Sequence, residues 1–315
     1  MPIGHYIKEI GRGARGAKPL ARAQAADLFG QVLDSQVTDL EIGAFCLAMR
    51  IKGETPEELA GFLDATNARL AKFSTTTGRP LIVLPSYNGA RKLPLLTPLL
   101  ALLIARGGFP VLVHGSNTEG LDSTRVVASK VLTALGMPAR TAIDRLADDE
   151  VAFAPTALLC PGLARLLEVR RVVGLRNPAH SVVKLMQPCT GDCVVVGSYT
   201  HAAYADSMAA TYALMGSTAL LSRGLEGESV ADPRRRAQVD GFVHGQRVAL
   251  QAQQAGTLAE IEGLPETIDV DTCVRYTRRV LDGALPIPEA LARQVEHITH
   301  IAHAAFGNAG RVGFP

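Results

Sequence analysis

The sequence contains no tryptophan, and aromatic residues make up only 5% of its 315 residues. Sheets that bind RNA by stacking bases on exposed aromatic side chains depend on such residues, so a protein of that class is not expected. Long apolar runs are also missing. The longest lies between Lys92 and Arg106, contains two prolines and is too short to cross a bilayer. We therefore expect no membrane-spanning helix.

The chain also has few cysteines and a small net charge. The five cysteines are an odd, scattered set without metal-binding spacing, and no apolar signal segment opens the chain, so a reduced, cytoplasmic protein is expected. Neither a Walker loop nor a Gly-x-Ser-x-Gly elbow is present. The 32 basic and 30 acidic residues give a formal net charge of +2. Any electrostatic site must therefore follow from where the charges lie.

Residues 1–73 have the pattern of a helical domain. Apolar residues recur at spacings of three and four between Ala25 and Leu33, as on one face of a helix. The segments Thr38–Glu41 and Thr55–Glu58 each have the sequence of a capping box, in which a threonine and a glutamate side chain satisfy backbone donors at a helix start. We predict that a helix begins at each.

The pattern changes after residue 79. Short continuous apolar runs alternate with helix-length segments, and they lie at 81–84, 109–114, 151–154, 194–197 and 218–221. Such runs are typical of strands buried on both faces, and their alternation with helices predicts a central, mostly parallel sheet. The predicted fold class is α/β, with a small N-terminal helical domain at 1–73 and a large α/β domain at 79–315.

Two loops of the predicted sheet have the composition of an anion site. Ligands of open α/β sheets bind beyond the carboxyl ends of the strands. The loop Pro85–Lys92 contains an Asn-Gly pair, which favours a tight turn with positive φ, and the loop His114–Thr118 is small and polar. The candidate phosphate ligands are Ser86, Asn88, Gly89, His114, Gly115 and Asn117. Both loops are equally compatible with connections that bind nothing.

Charged residues cluster in three places. Five basic residues and a single acidic residue, Glu168, lie between residues 165 and 184, and Arg234–Arg236 are consecutive. Charge of one sign suits a phosphate backbone, unless ion pairs with scattered acids leave no net patch. Glu226 and Glu228, in a glycine-rich segment, offer carboxylate oxygens for Mg²⁺, which is a weak signal on its own.

The order of these features resembles anthranilate phosphoribosyltransferase and the glycosyltransferase family 3 fold over nearly the whole chain. The shared features are a helical segment, a phosphate-type loop, a His-Gly loop, an arginine-rich helix and an acidic Gly-Leu-Glu loop. The resemblance implies that helices from about 160–188 complete the helical domain, and that two chains form a homodimer through it. Arg170 matches the family arginine near the anthranilate pocket.

The chain departs from the enzymes of that family at its three ligand-binding motifs. Pro85-Ser-Tyr-Asn-Gly89 replaces Gly-Thr-Gly-Gly-Asp, and Tyr87 would crowd the approach of a pyrophosphate. Val113 replaces the lysine of Lys-His-Gly-Asn, and the adjacent Asp-Glu pair that binds Mg²⁺ is split into Glu226 and Glu228. The long motif Pro-Ser-Tyr-Asn-Gly-Ala-Arg-Lys, with Glu-Gly-Glu later and Arg-Ile-Lys-Gly-Glu at 50–54, is similar to the YbiB subgroup. That subgroup is regarded as binding nucleic acid without sequence preference and lacks demonstrated transferase activity.

We therefore expect a homodimer that binds single- or double-stranded nucleic acid with little sequence preference, and that needs no cofactor. The residues expected to contact phosphates are Arg91, Lys92, Arg170, Arg171, Arg176, Lys184, Arg234, Arg235 and Arg236. The alternative is a Mg²⁺-dependent phosphoribosyltransferase, in which the candidate phosphate ligands named above hold phosphoribosyl pyrophosphate and Glu226 and Glu228 hold Mg²⁺. A third reading is an interaction scaffold with no ligand in the cleft.

Overall fold

The computed structural model describes residues 3–116, 125–258 and 260–307. The chain divides into two compact units. The helical unit comprises Met1–Ala71 and Thr156–Pro188, and the α/β unit comprises Lys72–Pro155 and Cys189–Pro315. Among the described residues, no helix has both the length and the apolar character needed to cross a membrane.

The elements are numbered in chain order within the described residues. The helices are α1 (Gly4–Ile10), α2 (Gly13–Gly16), α3 (Arg22–Leu33), α4 (Asp39–Lys52), α5 (Pro56–Asn67), α6 (Thr97–Arg106), α7 (Ala128–Ala134), α8 (Thr156–Leu159), α9 (Pro161–Val173), α10 (Ala179–Val182), α11 (Ala202–Met215), α12 (Val270–Leu281) and α13 (Glu289–Phe306). The strands are β1 (Ser74–Thr75), β2 (Leu81–Pro85), β3 (Val111–Gly115), β4 (Arg145–Leu146), β5 (Val151–Pro155), β6 (Cys193–Tyr199), β7 (Ala219–Arg223), β8 (Val239–Val243) and β9 (Gln246–Gln251).

The helical unit is built on the helices that the sequence predicted. Both capping boxes are present: Thr38 and Thr55 each accept a hydrogen bond from the glutamate amide three residues later. The rings of Phe29 and Phe62 stack at a centroid distance of 4.7 Å in the core between α3 and α5. Helices α3 and α5 approach closely at Gly61, where a Cβ atom would lie 2.2 Å from the carbonyl oxygen of Arg22. Only glycine fits there without a shift of the backbone.

The α/β unit contains the mostly parallel sheet that the sequence predicted. Within the described residues its seven strands have the order β5-β3-β2-β6-β7-β8-β9, and the first five are parallel. Strands β2 and β3 are fully buried, as their continuous apolar runs require. The apolar core lies between this sheet and the helices of the unit, α6 and α13 included.

Strands β8 and β9 form an antiparallel hairpin at one end of the sheet. Neither strand was predicted from the sequence. Four of the six residues of β9 are exposed, so its sequence lacks the continuous apolar run that identified the parallel strands. The register pairs Pro85 with His114, and Tyr199 with Arg223, so the loops that follow β2, β3, β6 and β7 leave the same edge of the sheet.

Candidate functional site

The loop after β2 is closed by a glutamate from the loop after β7. The carboxylate of Glu228 accepts hydrogen bonds from the backbone amides of Asn88, at 3.1 Å, and Gly89, at 2.8 Å. Its second oxygen accepts from the hydroxyl groups of Thr97, at 3.0 Å, and Ser86. Glu228 is only 1% exposed. The backbone donors that suit a phosphate at this place therefore bind an anion that belongs to the chain itself.

Glu226 performs the same role at the second half of the loop. Its carboxylate accepts from the amides of Arg91, at 3.1 Å, Lys92, at 2.6 Å, and Leu93, at 3.2 Å. The backbone of Glu226 has φ +53°, a left-handed conformation that is costly for any residue with a Cβ atom. The bonds to three consecutive amides stabilise this conformation. Gly89 itself has φ +69°, so the turn predicted from the Asn-Gly pair is confirmed.

These contacts bear on the reading that assigns Mg²⁺ to Glu226 and Glu228. A Mg²⁺ ion needs carboxylate lone pairs that face the ion, whereas both carboxylates here point their oxygens at amide and hydroxyl donors. Among the described residues, no group of three or more His, Cys, Asp and Glu side chains could hold a metal ion. The residues present do not fit Mg²⁺ in this arrangement.

In the second predicted loop, which begins at His114, the structure places fewer groups where a ligand could reach them than the sequence indicated. His114 lies inside β3 with no exposed surface, and neither ring nitrogen has a hydrogen-bond partner among the described residues. Burial lowers the pKa of this imidazole to about 3, so the ring is neutral and inaccessible to a ligand. A Cβ atom at Gly115 would lie 1.9 Å from the carbonyl oxygen of Ser86, so this glycine serves the packing of β3 against the 85–92 loop. Asn117 lies outside the described residues.

Cations of the α/β unit gather around Glu226. The side chains of Arg91 and Lys92 are exposed, beside the amides that bind this carboxylate. The hydrogen bond to Asp232 raises the pKa of Arg234, and the charge of Glu226 adds to this effect, which places Arg234 in the same neighbourhood. Arg125, which the sequence analysis missed, donates to the carbonyl of Gly89 at 3.0 Å and lies 3.8 Å from Glu226. No local motif marks Arg125, because only the folded chain brings it to this loop.

Carboxylates compensate part of the charge of Arg234–Arg236. Arg234 makes two parallel hydrogen bonds to Asp232, at 3.0 and 2.9 Å, and Arg235 lies 3.5 Å from the same carboxylate. Arg236 and Arg293 both bond to Glu289. Glu226 also acts on Arg234, and Glu260 and Glu262 lie around the same arginines, so carboxylates offset much of this positive charge.

The candidates of the helical unit lie around the C-terminal half of α9. Burial, together with the charges of Arg176, Arg170 and Lys184, lowers the pKa of His180 to about 4. The structure therefore brings these three cations to one place. Arg171 pairs with Glu168 at 2.7 Å, and both side chains are about half exposed, so solvent screens this pair strongly.

Comparisons with known proteins agree with this architecture. The helical bundle domain of the glycosyl transferase family matches residues 5–69. The uncharacterized protein YbiB of Escherichia coli K12 is 38% identical over 302 residues, which cover 94% of this chain and 92% of YbiB. Anthranilate phosphoribosyltransferase of Beijerinckia indica is 37% identical over 139 residues, which cover 44% of this chain and 38% of that enzyme.

Solved structures extend the similarity to the fold. Anthranilate phosphoribosyltransferase from Thermus thermophilus superposes with a TM-score of 0.74 at 22% identity, over 96% of this chain and 89% of the enzyme. The enzyme from Saccharomyces cerevisiae in complex with PRPP and Mg superposes with a TM-score of 0.65 at 14% identity, over 96% and 89% of the two chains. At 22% and 14% sequence identity, these superpositions show that the fold is shared and do not show a shared function.

Proposed function

Because this chain belongs to the YbiB-type branch of the anthranilate phosphoribosyltransferase-like family, we propose that it uses a phosphoribosyltransferase-like scaffold to bind nucleic acid. Basic side chains contact backbone phosphates, and binding depends little on base sequence. Phosphate contacts fix a protein on its nucleic acid and draw most of their free energy from counterion release. They do not require the enclosed, metal-bearing pocket that transfer chemistry needs.

The main support for this proposal comes from the hydrogen-bond partners of the 85–92 loop and from the cations that the loop exposes. Its inward donors bind Glu226 and Glu228, whereas Arg91 and Lys92 on the same loop are exposed. Because internal carboxylates already occupy these donors, the donors are not available to the pyrophosphate that a transferase would bind there. The exposed cations, with Arg234 close by, suit the phosphates of a strand that lies outside the loop.

The alternative, a Mg²⁺-dependent phosphoribosyltransferase, requires phosphoribosyl pyrophosphate to displace both glutamates. Loss of these bonds would leave the buried carboxylate of Glu228 and the largely buried carboxylate of Glu226 without donors, which is costly. Only the scaffold itself favours this alternative.

A homodimer is part of the proposal. Three large apolar side chains of α4 are exposed: Leu40 by 84%, Leu47 by 46% and Ile51 by 57%. Their spacing of seven and four residues puts them on one face of the helix. In a monomer this row of apolar side chains would stay in contact with water, whereas a second copy of the chain would bury it. Dimerisation would double the number of cationic sites along one strand.

The proposal is tested by titrating labelled oligonucleotides of unrelated sequence into the protein at several salt concentrations. We expect similar affinities for all sequences and a logarithmic salt slope of about −0.9 per phosphate contact on duplex and −0.7 on single strands. Arg91→Gln and Lys92→Gln should each reduce the slope by about one. Arg170→Gln and Arg176→Gln test the helical unit in the same way.

The matched control is Arg145→Gln, which removes an exposed arginine of the α/β unit outside the proposed site. It should leave the slope unchanged, because it removes no phosphate contact. Binding that ignores salt, or that is equally tight in wild type and in all four variants, would contradict the proposal.

A further inference from the structure

The beginning of the chain forms a further cationic surface on the helical unit. Residues 8–18, which we call the N-terminal basic segment, contain four basic side chains and one acidic side chain. The basic residues are Lys8, Arg12, Arg15 and Lys18, and all four are exposed. The acidic residue is Glu9. The function proposed above assigns no contact to this segment.

The chain reverses its direction within the N-terminal basic segment, and glycine makes the reversal possible. Helix α1 is capped by Gly11, where a Cβ atom would lie 2.7 Å from a backbone carbonyl oxygen of the same helix. Gly13 has φ +78°, which glycine adopts without strain. Two backbone hydrogen bonds hold the returning chain: Ala17 donates to Gly13 and Lys18 donates to Glu9, each at 3.0 Å. The segment is therefore a hydrogen-bonded turn on α1.

This turn brings the cations together around a single acid. Arg12 donates to the carbonyl oxygen of Lys8 at 3.2 Å and to the carboxylate of Glu9 at 2.8 Å. The side chains of Arg12 and Glu9 are exposed by 44% and 37%, so water and salt screen this ion pair. Among the described residues, no carboxylate forms an ion pair with Lys8, Arg15 or Lys18. Three cations of the segment therefore remain uncompensated by a direct partner.

Two other carboxylates of the helical unit have partners of their own. Asp27 of α3 accepts a hydrogen bond from the hydroxyl group of Tyr6 at 2.8 Å. Tyr6 is two positions from Lys8, so helix geometry directs these two side chains to different sides of α1. Glu58 of α5 has no exposed surface and forms an ion pair with Lys52. Neither carboxylate neutralises the N-terminal basic segment by direct contact.

The chemistry of this surface suits a phosphate backbone. Arginine can bind a phosphate through two parallel hydrogen bonds, and lysine acts on it as a point charge. Gly11, Gly13 and Gly16 are exposed, so no bulky side chain at these positions blocks the approach of a strand. The segment contains no aromatic side chain on which a base could stack. Its contacts would therefore go to phosphates and would depend little on base sequence.

A nucleic acid fits the segment better than an anionic lipid surface does. Segments that lie in a membrane interface combine positive charge with apolar side chains that enter the lipid. The only large apolar residue of the segment is Ile10, which is buried. The segment thus has the charge that both surfaces attract and lacks the apolar part that a lipid surface requires.

We propose that the N-terminal basic segment is a separate contact site for the phosphates of a nucleic-acid strand. Arg15 and Lys18 on the returning chain contact the strand together with Lys8 and Arg12 of the α1 end. This inference rests on the function proposed above and adds a contact region to it. The 85–92 loop and the N-terminal basic segment belong to different units of the chain, so substitutions can test each one alone.

The first test measures the salt dependence of binding with the full chain. Labelled single-stranded oligonucleotides of two unrelated sequences are titrated into the wild type, Arg15→Gln and Lys18→Gln at several salt concentrations. We expect each variant to reduce the logarithmic salt slope by about 0.7 and to weaken both sequences alike, because each removes one phosphate contact. Arg145→Gln, the matched control at an exposed arginine of the α/β unit, should leave the slope unchanged. The thermal unfolding midpoint reports whether each variant folds.

The second test asks for tighter binding, which damage to the fold does not produce. Glu9→Gln removes the acid of the segment and releases Arg12 from its ion pair. We expect single strands to bind about two- to fivefold more tightly, as the loss of one exposed like-charged group next to the phosphates implies. Glu266→Gln, at an exposed glutamate of the α/β unit, is the control and should change nothing.

The outcomes separate this inference from the proposed function. The inference is overturned if Arg15→Gln and Lys18→Gln bind as the wild type does while Arg91→Gln and Lys92→Gln lose affinity, and the proposed function then stands. A wild type without salt-dependent binding overturns both. Vesicles of phosphatidylglycerol provide the lipid comparison. If Arg15→Gln and Lys18→Gln weaken binding to vesicles and leave oligonucleotides unchanged, the segment binds lipid and the inference is wrong.

Discussion

Glu228 is a charged residue that the fold buries, and its hydrogen bonds account for the cost of doing so. Two amides and two hydroxyl groups donate to its carboxylate. A buried carboxylate with four donors is stable, whereas the same donors without an acceptor are not. The identity of this one side chain therefore sets the chemistry of the 85–92 loop.

A substitution at Glu228 tests this role. Glu228→Gln replaces one acceptor oxygen with an amide that faces donors, and we expect it to lower the free energy of unfolding by about 2–4 kcal/mol in urea denaturation. Glu266→Gln, at an exposed glutamate, is the control. If the loop is an anion site closed from within, added phosphate should stabilise Glu228→Ala more than it stabilises the wild type. Equal stabilisation of both would contradict this reading.

His114 provides a pH prediction at the same scale. An unfolded chain binds a proton to this imidazole near pH 6.5, whereas burial lowers the pKa of the folded state to about 3. The unfolded state then binds more protons between these values, so the folded state loses stability as the pH falls below 6.5. His114→Leu should lose less stability than the wild type between about pH 7 and pH 5, by about 2 kcal/mol. Parallel loss in both proteins would show that His114 is not responsible.

At the scale of elements, α4 has two different faces. One packs Phe45, Cys46 and Met49 into the helical unit, and the other exposes Leu40, Leu47 and Ile51. A helix inside a monomer needs only the first face. The second face is the reason for proposing that two chains associate through the helical unit.

Charge on the second face should prevent this association. We expect the wild type to be a dimer at micromolar concentration by light scattering, and Leu47→Glu with Ile51→Glu to be a folded monomer, since two carboxylates cannot be buried unpaired in an apolar interface. Helical circular dichroism checks the fold. Glu57→Gln, at an exposed position of α5, is the control. A wild type that is monomeric at this concentration would remove the dimer from the proposal.

At the scale of the whole molecule, the scaffold resembles that of a phosphoribosyltransferase, whereas the candidate site lacks the open donors that such an enzyme needs. The chain superposes on anthranilate phosphoribosyltransferase from Thermus thermophilus over 96% of its length. The residues at the carboxyl edge of the sheet nevertheless bind internal carboxylates where a transferase needs open donors. Fold alone does not determine function, because function depends on the groups placed on the fold.

A titration with phosphoribosyl pyrophosphate decides whether the loop can still bind the ligand of a phosphoribosyltransferase. We expect no binding at micromolar concentration with or without Mg²⁺, because Glu226 and Glu228 already occupy the loop. Calorimetry of the wild-type chain measures this directly. Tight, Mg²⁺-dependent binding would favour the transferase instead, and would require both glutamates to leave their donors.

The sequence by itself determined the elements and their general order. Capping boxes at Thr38 and Thr55 and the continuous apolar run at 81–84 depend only on neighbouring residues, so they could be interpreted without a fold. The positive φ of Gly89 was predictable for the same reason. Strand β9 was not, because an exposed edge strand needs no apolar run. Strand β8 is buried, but Asp240 and Gly241 interrupt its apolar residues.

Only the tertiary structure decided what the candidate residues contact. Glu226 and Glu228 are more than 130 positions from the loop that they close, and no local pattern links them to its amides. The same holds for Arg125, and for the pairing of Arg236 with Glu289. Hydrogen bonds and ion pairs depend on distances in space. A sequence shows which groups are present, and the fold decides which of them meet.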